Sequence, residues 1–513
     1  MFYFIANRWL CAVWVATILL TWHSPAAAQG KRPNIFLAIA DDWGYPYAGA
    51  YGDPVVKTPT FDRIAKEGVL VRHAFVSSPS CTPSRGALMT GQYHWRLEEG
   101  ANLWSTLPAK FRTYPEILQE AGYFIGKMRK AWGPGRLEPG GRTVDPAGPN
   151  YQSFAEFLRA VPSGKPFCFW FGSSDPHRPY EWQSGAASGM DLTRVKVPAA
   201  LPDNELTRND VADYMFEVQR FDRELGEALK LLEEAKRLDD TIIVITGDHG
   251  MPFPRGKSNL YDLGARVPLA IRWPSGGIKG EQIIDDFVSL TDLAPTFLEA
   301  AGVERNSFRS EMTGKSLLKR LRGIDPTAAA PTHRDHVIYG KERHVPSQEK
   351  GNTAGYPSRA LRNKDYLYIR NFRPELWPNG IADASEAYIG NSFADTDNGP
   401  SKSFLIEHQN DPAVKNLFDL AFAKRPAEEL YDVKADPDQL VNVAGDPKFS
   451  DVLKRLSSQL EAELRETGDP RIIGGGEKFD EYPYYGGPQN PAGAKGRAKA
   501  KGKGQGKGKV QGP

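Results

Sequence analysis

Short, almost unbroken apolar runs alternate with amphipathic stretches along the first two-thirds of the chain. "PNIFLAIADDWG" (33–44) is strand-like and ends in two aspartates and a glycine turn. "TPTFDRIAKEGVLVRHAFV" (58–76) predicts a helix with Thr58 or Thr60 near its start, then a short strand. "TYPEILQEAGYFIGKM" (113–128) repeats that order with Gly122 at the helix end, and "KPFCFWFGSSDPH" (165–177) is a buried strand running into a loop. Residues 208–250 predict a long amphipathic helix and an apolar strand ending in "GDHG". Helices alternating with apolar strands predict an α/β fold with a largely parallel sheet. Beyond about residue 330 the strands shorten, in "HVIYGKE", "DYLYIRNF" and "EELYDVKADPDQ", and a helix follows from about Asp451 to Glu466. These predict a smaller C-terminal α+β region packed on the first.

Polar residues gather where the apolar strands end: Asp41 and Asp42, Asp175 to His177, Asp248 and His249. In open α/β sheets that edge binds ligands. Asp41, Asp42 and Asp248 offer hard carboxylate oxygens that suit calcium or magnesium better than zinc, with His249 or its neighbours to complete the shell. Arg85, Lys127 and Lys257 add cations from turn contexts. A metal and fixed cations around one pocket would bind a tetrahedral oxyanion, and His177 would protonate a leaving alcohol or amine.

Length and charge refine this picture. The 513 residues allow one large domain plus a smaller one. The net charge of +2 hides an uneven distribution, because "KGRAKAKGKGQGKGK" (495–509) carries seven basic residues and no acid. The body is therefore acidic and poorly suited to nucleic acid, and the Gly/Lys stretch reads as a solvated or polyanion-seeking tail. Arg8, the apolar run "WLCAVWVATILLTW" and "SPAAAQG" have the order of a cleavable signal peptide, which predicts export to a periplasm or the exterior with no membrane span after cleavage. The expected segments are a signal at 1–28, a catalytic domain at 29–330, a C-terminal subdomain at 331–485 and a tail at 486–513. Export also sharpens the reading of the three cysteines. Cys11 leaves with the signal. Cys81 and Cys168 could form one disulfide, but Cys168 lies in an apolar strand-like run, where cysteine behaves as a small hydrophobe. Cys81, in the polar, turn-rich "SSPSCTPSRGALMTG", is more naturally a chemical group.

"CTPSR" resembles the C-x-P-S-R signature of the type I sulfatases, whose cysteine is oxidised to formylglycine. The resemblance runs through "PNIFLAIADDWG", "TPTFDRIAKEGV", "SSDPHRP", "TGDHG", "ARVPLAIRWP", "TDLAPTFLEAAG" and "RPAEELYDVKADPDQLVNVA". It implies an alkaline-phosphatase-like sandwich: a large mixed, mostly parallel sheet flanked by helices, plus a smaller C-terminal subdomain. It also implies a mechanism. The aldehyde at position 81 hydrates to a geminal diol, one hydroxyl attacks sulfur, and the other then drives elimination of sulfate. A serine sulfate ester would have no second hydroxyl and would be trapped. One calcium ion would be held by Asp41, Asp42, Asp248, His249 and the modified residue 81, although family members commonly have Asn at the His249 position. Arg85 would steady the modified side chain, Lys127 and Lys257 would hold sulfate oxygens, and His177 would act as acid.

One departure stands out. The family usually has a histidine two residues after the Lys127 position, where this chain has Arg129 in "GKMRKAWGPG". Arg129 or Lys130 substitutes electrostatically, a histidine comes from elsewhere, or turnover is weakened. Within the family, "GDHGMPFPRGKSNLY", "SSDPHRP" and "GKERHVPSQEKGNTAGYPSRALRNKDYLYIRNFRPELWP" look most like the heparan N-sulfatases. That likeness implies that Arg343 and His344, with Arg178, read the sugar, and that the bond cleaved is the N–S of N-sulfoglucosamine or an O–S ester of another glycan. It also implies a formylglycine-generating partner. The competing readings are a phosphoester or phosphonate hydrolase and a catalytically weak sulfoglycan-binding protein.

Overall fold

The computed structural model describes residues 32–304, 311–323 and 333–486. The expected signal peptide, the boundary near 330 and the basic tail lie outside these residues. Seven strands, β1 (Asn34–Ala40), β2 (Val69–Phe75), β3 (Phe124–Met128), β4 (Phe167–Gly172), β5 (Thr241–Gly247), β6 (Arg266–Arg272) and β7 (Gln282–Ser289), form one sheet in the order β3-β4-β1-β5-β6-β2-β7. β1 runs parallel to both β4 and β5, β3 is parallel to β4, and β2 is parallel to β7. Only β6, between β5 and β2, is antiparallel to its neighbours. The sheet is thus mixed and mostly parallel.

β1 shows why the apolar runs lack alternation. All seven residues are buried, because helices cover both faces of the sheet. Ile35, Leu37 and Ile39 point into one core, with Ala87, Leu88 and Met89 of the Cys81–Thr90 helix. Phe36, Ala38 and Ala40 point into the other, where the Glu205–Glu234 helix packs Val211, Met215, Val218, Phe221 and Leu225. Each fully buried side chain of this kind stabilises the fold by roughly 1.5–3 kcal/mol.

A second, antiparallel sheet has the order β11-β10-β9-β8, built from β8 (His336–Lys341), β9 (Ser358–Asn363), β10 (Tyr366–Asn371) and β11 (Glu428–Asp432). One face packs Ile338, Leu361, Tyr368 and Leu430 on Leu456, Leu460 and Leu464 of the Ser450–Glu466 helix. The other face sends Val337, Tyr339, Leu367 and Ile369 into the first core of the large sheet. The described residues from Pro33 onward therefore form one compact unit. Among the described residues, no helix is long and apolar enough to cross a membrane.

Candidate active site

The carboxyl ends of β1 and β5, adjacent at the centre of the large sheet, bring together residues more than 200 positions apart. Asp41 and Asp42 follow β1, and Asp248 and His249 follow β5. Asp42 has φ 72°, in the left-handed region that Asp tolerates better than most residues. This turn lets its backbone N–H donate to Asp248 Oδ1 at 2.9 Å. Gly247 makes the approach possible, since a Cβ there would lie 2.1 Å from the Trp43 carbonyl oxygen.

Cys81 enters from the third side. It is the first residue of the Cys81–Thr90 helix, every residue of which is buried. The segment expected to be turn-rich is helical because Pro83 sits in the first turn, where no N–H is needed. Ser80, the N-cap residue, does not cap the helix with its side chain; its hydroxyl bonds His344 Nδ1 at 2.8 Å. Cys81 Sγ lies 3.3 Å from His249 Nε2 and 3.9 Å from Asp41 Oδ1. Cys81 and Cys168 are both free thiols, so the disulfide reading is not realised.

Three cations neutralise the three carboxylates. Arg85, one helical turn after Cys81 and fully buried, donates from Nε to Asp248 at 2.8 Å and from Nη2 to Asp41 at 3.3 Å. Lys257 Nζ bridges Asp42 at 3.0 Å and Asp397 at 2.9 Å. Lys130 Nζ lies 2.5 Å from Asp41. Burial opposes charge on all three, yet the facing carboxylates outweigh it and raise their pKa values, that of Lys257 well above the usual lysine range. Burial would raise the Asp248 pKa, but Arg85, His249 and Lys130 hold it well below the carboxylate range. For His249, burial is outweighed by Asp248, Asp42 and Cys81, which push its pKa up to about 9. Its Nδ1 contacts the Gly250 carbonyl oxygen at 3.0 Å, which fixes Nε2 toward Cys81 and Asp42.

His177 stands at the open side of this group, about a third exposed. Its Nδ1 is 2.6 Å from the Arg178 carbonyl oxygen, and its Nε2 is 3.9 Å from Asp42. Asp42, His177 and Asp397 converge within 4.8 Å, as do Asp42, Cys81 and His249, and Asp41, Cys81 and Asp248.

The residues fit a hard divalent cation. Asp42 Oδ1 is buried and accepts no hydrogen bond, and the donor set of three carboxylates and one imidazole around Cys81 is oxygen-rich. Asp41, Asp42 and Asp248 would hold the ion, with His249 joining them as the neutral imidazole, its proton displaced by the metal.

Several of the expected residues have partners of their own in the structure. Lys127 Nζ donates to the Arg129 carbonyl oxygen at 2.9 Å and to Asn150 at 3.3 Å, beside Asp145 at 3.7 Å, away from Asp41. Arg129, with φ 50°, turns outward to Glu224 at 2.6 Å, and this kink after β3 swings Lys130 inward. Of Arg129 and Lys130, Lys130 is the one that reaches the carboxylates. Arg178, expected to read a sugar, is instead locked bidentately on Asp210 at 2.7 and 2.8 Å and sandwiched between Tyr180 and Phe253. Arg343, expected to do the same, spends its guanidinium on the backbone carbonyls of Thr353, Asp480, Tyr482 and Pro483. His344 does stand beside the site, through Ser80, and burial drives its pKa down to about 3. Asp397 escaped sequence reasoning. "FADTDNG" ends no apolar strand, and only its density of acidic turn residues could have flagged it.

The sulfatase family model matches residues 33–134 and 148–303, and the model described as N-sulphoglucosamine sulphohydrolase, C-terminal, matches residues 247–374. The chain is 29% identical to human (Homo sapiens) N-sulphoglucosamine sulphohydrolase over 86% of its length and 92% of that protein. It is also 29% identical to an ulvan-active sulfatase of Formosa agariphila, over 86% of this chain and 82% of the relative. A protein solved in complex with its substrate D-glucosamine-2-N,6-O-disulfate superposes with a TM-score of 0.59 at 21% identity, covering 86% of this chain and all of the other, a likeness of fold. With the family model spanning half of its residues and a cysteine held among carboxylates at the carboxyl ends of β1 and β5, the chain belongs to the sulfatase family of hydrolases.

Proposed function

We propose that this enzyme removes sulfate from a sulfated saccharide, N-sulfoglucosamine or an O-sulfated glycan, in an exported location, with Cys81 converted to formylglycine and one calcium ion bound. The observation that carries the reading is the seat of Cys81: a buried thiol at a helix start, faced by Asp41 and His249 and ringed by Arg85, Lys130 and Lys257. The C-terminal model match and the relatives acting on glucosamine sulfate and ulvan favour a sugar substrate.

Formylglycine supplies the hydrated aldehyde carbon that can take up sulfate and later eliminate it. Calcium, held by Asp41, Asp42 and Asp248, would supply positive charge to offset that of the sulfo group. The remaining work falls to side chains. Lys257 and Lys130 present ammonium groups to developing oxyanion charge, and they are already oriented by carboxylates, so little reorganisation is needed. His177, with Nδ1 tied to the Arg178 carbonyl, directs Nε2 into the site and delivers a proton to the departing amine or alcohol. Arg85 does not reach substrate; it holds Asp41 and Asp248 in register.

The test is mass spectrometry of the peptide containing residue 81 from a host with the modifying enzyme, paired with sulfate release from N-sulfoglucosamine and glucosamine 6-sulfate. An intact thiol in active enzyme refutes the mechanism. Faster turnover of a matched phosphate ester refutes the sulfatase specificity.

A further inference from the structure

We propose that Trp104 and Tyr484 form the platform on which the sugar ring of the substrate lies, with Arg343 as its positioning residue. This rests on the saccharide reading above. Beside Cys81 the site also has an apolar side: Cys81 shares one cluster with buried Leu103 and Val345, and Trp104, Ile389, Ala394 and Tyr484 pack around it while staying partly exposed. The site thus has one charged wall for a sulfo group and one apolar wall beside the reacting residue. A sulfated pyranose has the same division, since its ring carries C–H faces that pack on aromatic rings.

The platform is built, not incidental. Trp104 has φ 52°, a left-handed backbone that a bulky aromatic adopts only where its surroundings impose it. Two distant segments impose it. Asn102 accepts from the Arg343 N–H at 3.1 Å and donates to the Phe479 carbonyl at 2.7 Å. The Leu103 N–H donates to the Arg343 carbonyl at 3.0 Å, and the Tyr485 N–H donates to the Trp104 carbonyl at 2.7 Å. Arg343, 2% exposed, then pins the returning C-terminal segment through the Tyr482 carbonyl at 2.7 Å. The arginine acts on the sugar site through the strap it holds.

The experiment measures KM and kcat for sulfate release from N-sulfoglucosamine and glucosamine 6-sulfate by Trp104→Ala, Tyr484→Ala, Trp104→Phe and Arg343→Met. Conversion of residue 81 and melting temperature are checked for each. The alanine variants raise KM about tenfold and lower kcat less than threefold, and Trp104→Phe recovers most of the loss. Arg343→Met raises KM and speeds amide hydrogen exchange at residues 480–486. Unchanged KM in both alanine variants, or a loss confined to kcat, overturns the platform. If Trp104→Ala does not fold, Tyr484→Ala decides alone. Failure of the unsubstituted enzyme to release sulfate from either sugar overturns the saccharide reading and the platform with it. Release with unaltered KM in the variants overturns the platform only.

Discussion

Arg359→Met isolates the network that anchors the C-terminal strap. Arg359, on β9, is fully buried; its Nε lies 2.5 Å from Asp469 and its Nη2 2.5 Å from Glu342. Removing the guanidinium does not strand both acids equally. Glu342 keeps Arg471 at 2.8 Å, whereas Asp469 keeps only the Arg471 backbone N–H at 2.9 Å. One uncompensated buried carboxylate costs about 3–5 kcal/mol, not twice that. Unfolding entropy for a chain of this size is on the order of 1 kcal/mol/K, so the melting temperature falls by roughly 3–5 °C. The double variant Arg359→Met/Asp469→Asn recovers at least half of the loss, because the asparagine has no charge to strand and still caps the short helix that starts at Pro470. Thermal and urea unfolding of the four proteins of the cycle give the coupling directly. Simple addition of the two single costs would refute the reasoning, since it would mean that Asp469 is not the stranded charge.

Lys130→Met should lower kcat/KM for sulfate release by roughly 100-fold, as expected for losing a preoriented charge, whereas Arg129→Ala, which touches Glu224 outside the site, should stay within about threefold. Cys168→Ala should leave activity intact, and thiol reagents should reach Cys168 only on unfolding, because burial holds its thiol protonated far above the usual range. Acid should destabilise the fold between about pH 6.5 and 4: burial first, then Arg266 and Arg362, pull the His73 pKa down to about 4. A histidine depressed in the folded state contributes stability that is complete above its unfolded value of about 6.5 and lost as pH falls toward the folded one. His73→Gln should flatten that part of a urea-midpoint profile, and an unaltered slope would discard the assignment. Chelating calcium should abolish turnover and lower the melting temperature, with saturating calcium at 100 times its Kd restoring about 2.7 kcal/mol; undiminished activity in excess chelator would remove the metal from the proposal.

β1, β4 and β5 of the large sheet were legible because they are buried on both faces and so stand out as unbroken apolar runs. β9, "SRALRN", was not, since two of its buried side chains are Arg359 and Arg362, and charge in a short segment reads as surface. Their partners, Asp469 and Asp262, lie 110 and 100 residues away. The same limit applies at the site. Asp41, Asp42, Asp248 and His249 announced themselves by following apolar strands, whereas Asp397 and the aromatic pair reach the site along loops. Lys127 and Lys130 are both plain in the sequence, but the backbone turn at Arg129 decides which one faces Asp41. The partners of Arg178 and Arg343, Asp210 and the backbone carbonyls of Thr353, Asp480, Tyr482 and Pro483, lie elsewhere in the sequence and could not be read from it.

The burial of the Cys81–Thr90 helix also sets an order of events in time. Cys81 is 2% exposed once β1 and β5 have paired, and that pairing must bring Asp42 to Asp248 across 206 residues. Contacts so distant in sequence form late in folding. On the proposed conversion of Cys81, a maturing enzyme would reach this thiol more readily before the sheet is complete than after it, and the fraction of active protein in a preparation would record a race between folding and maturation.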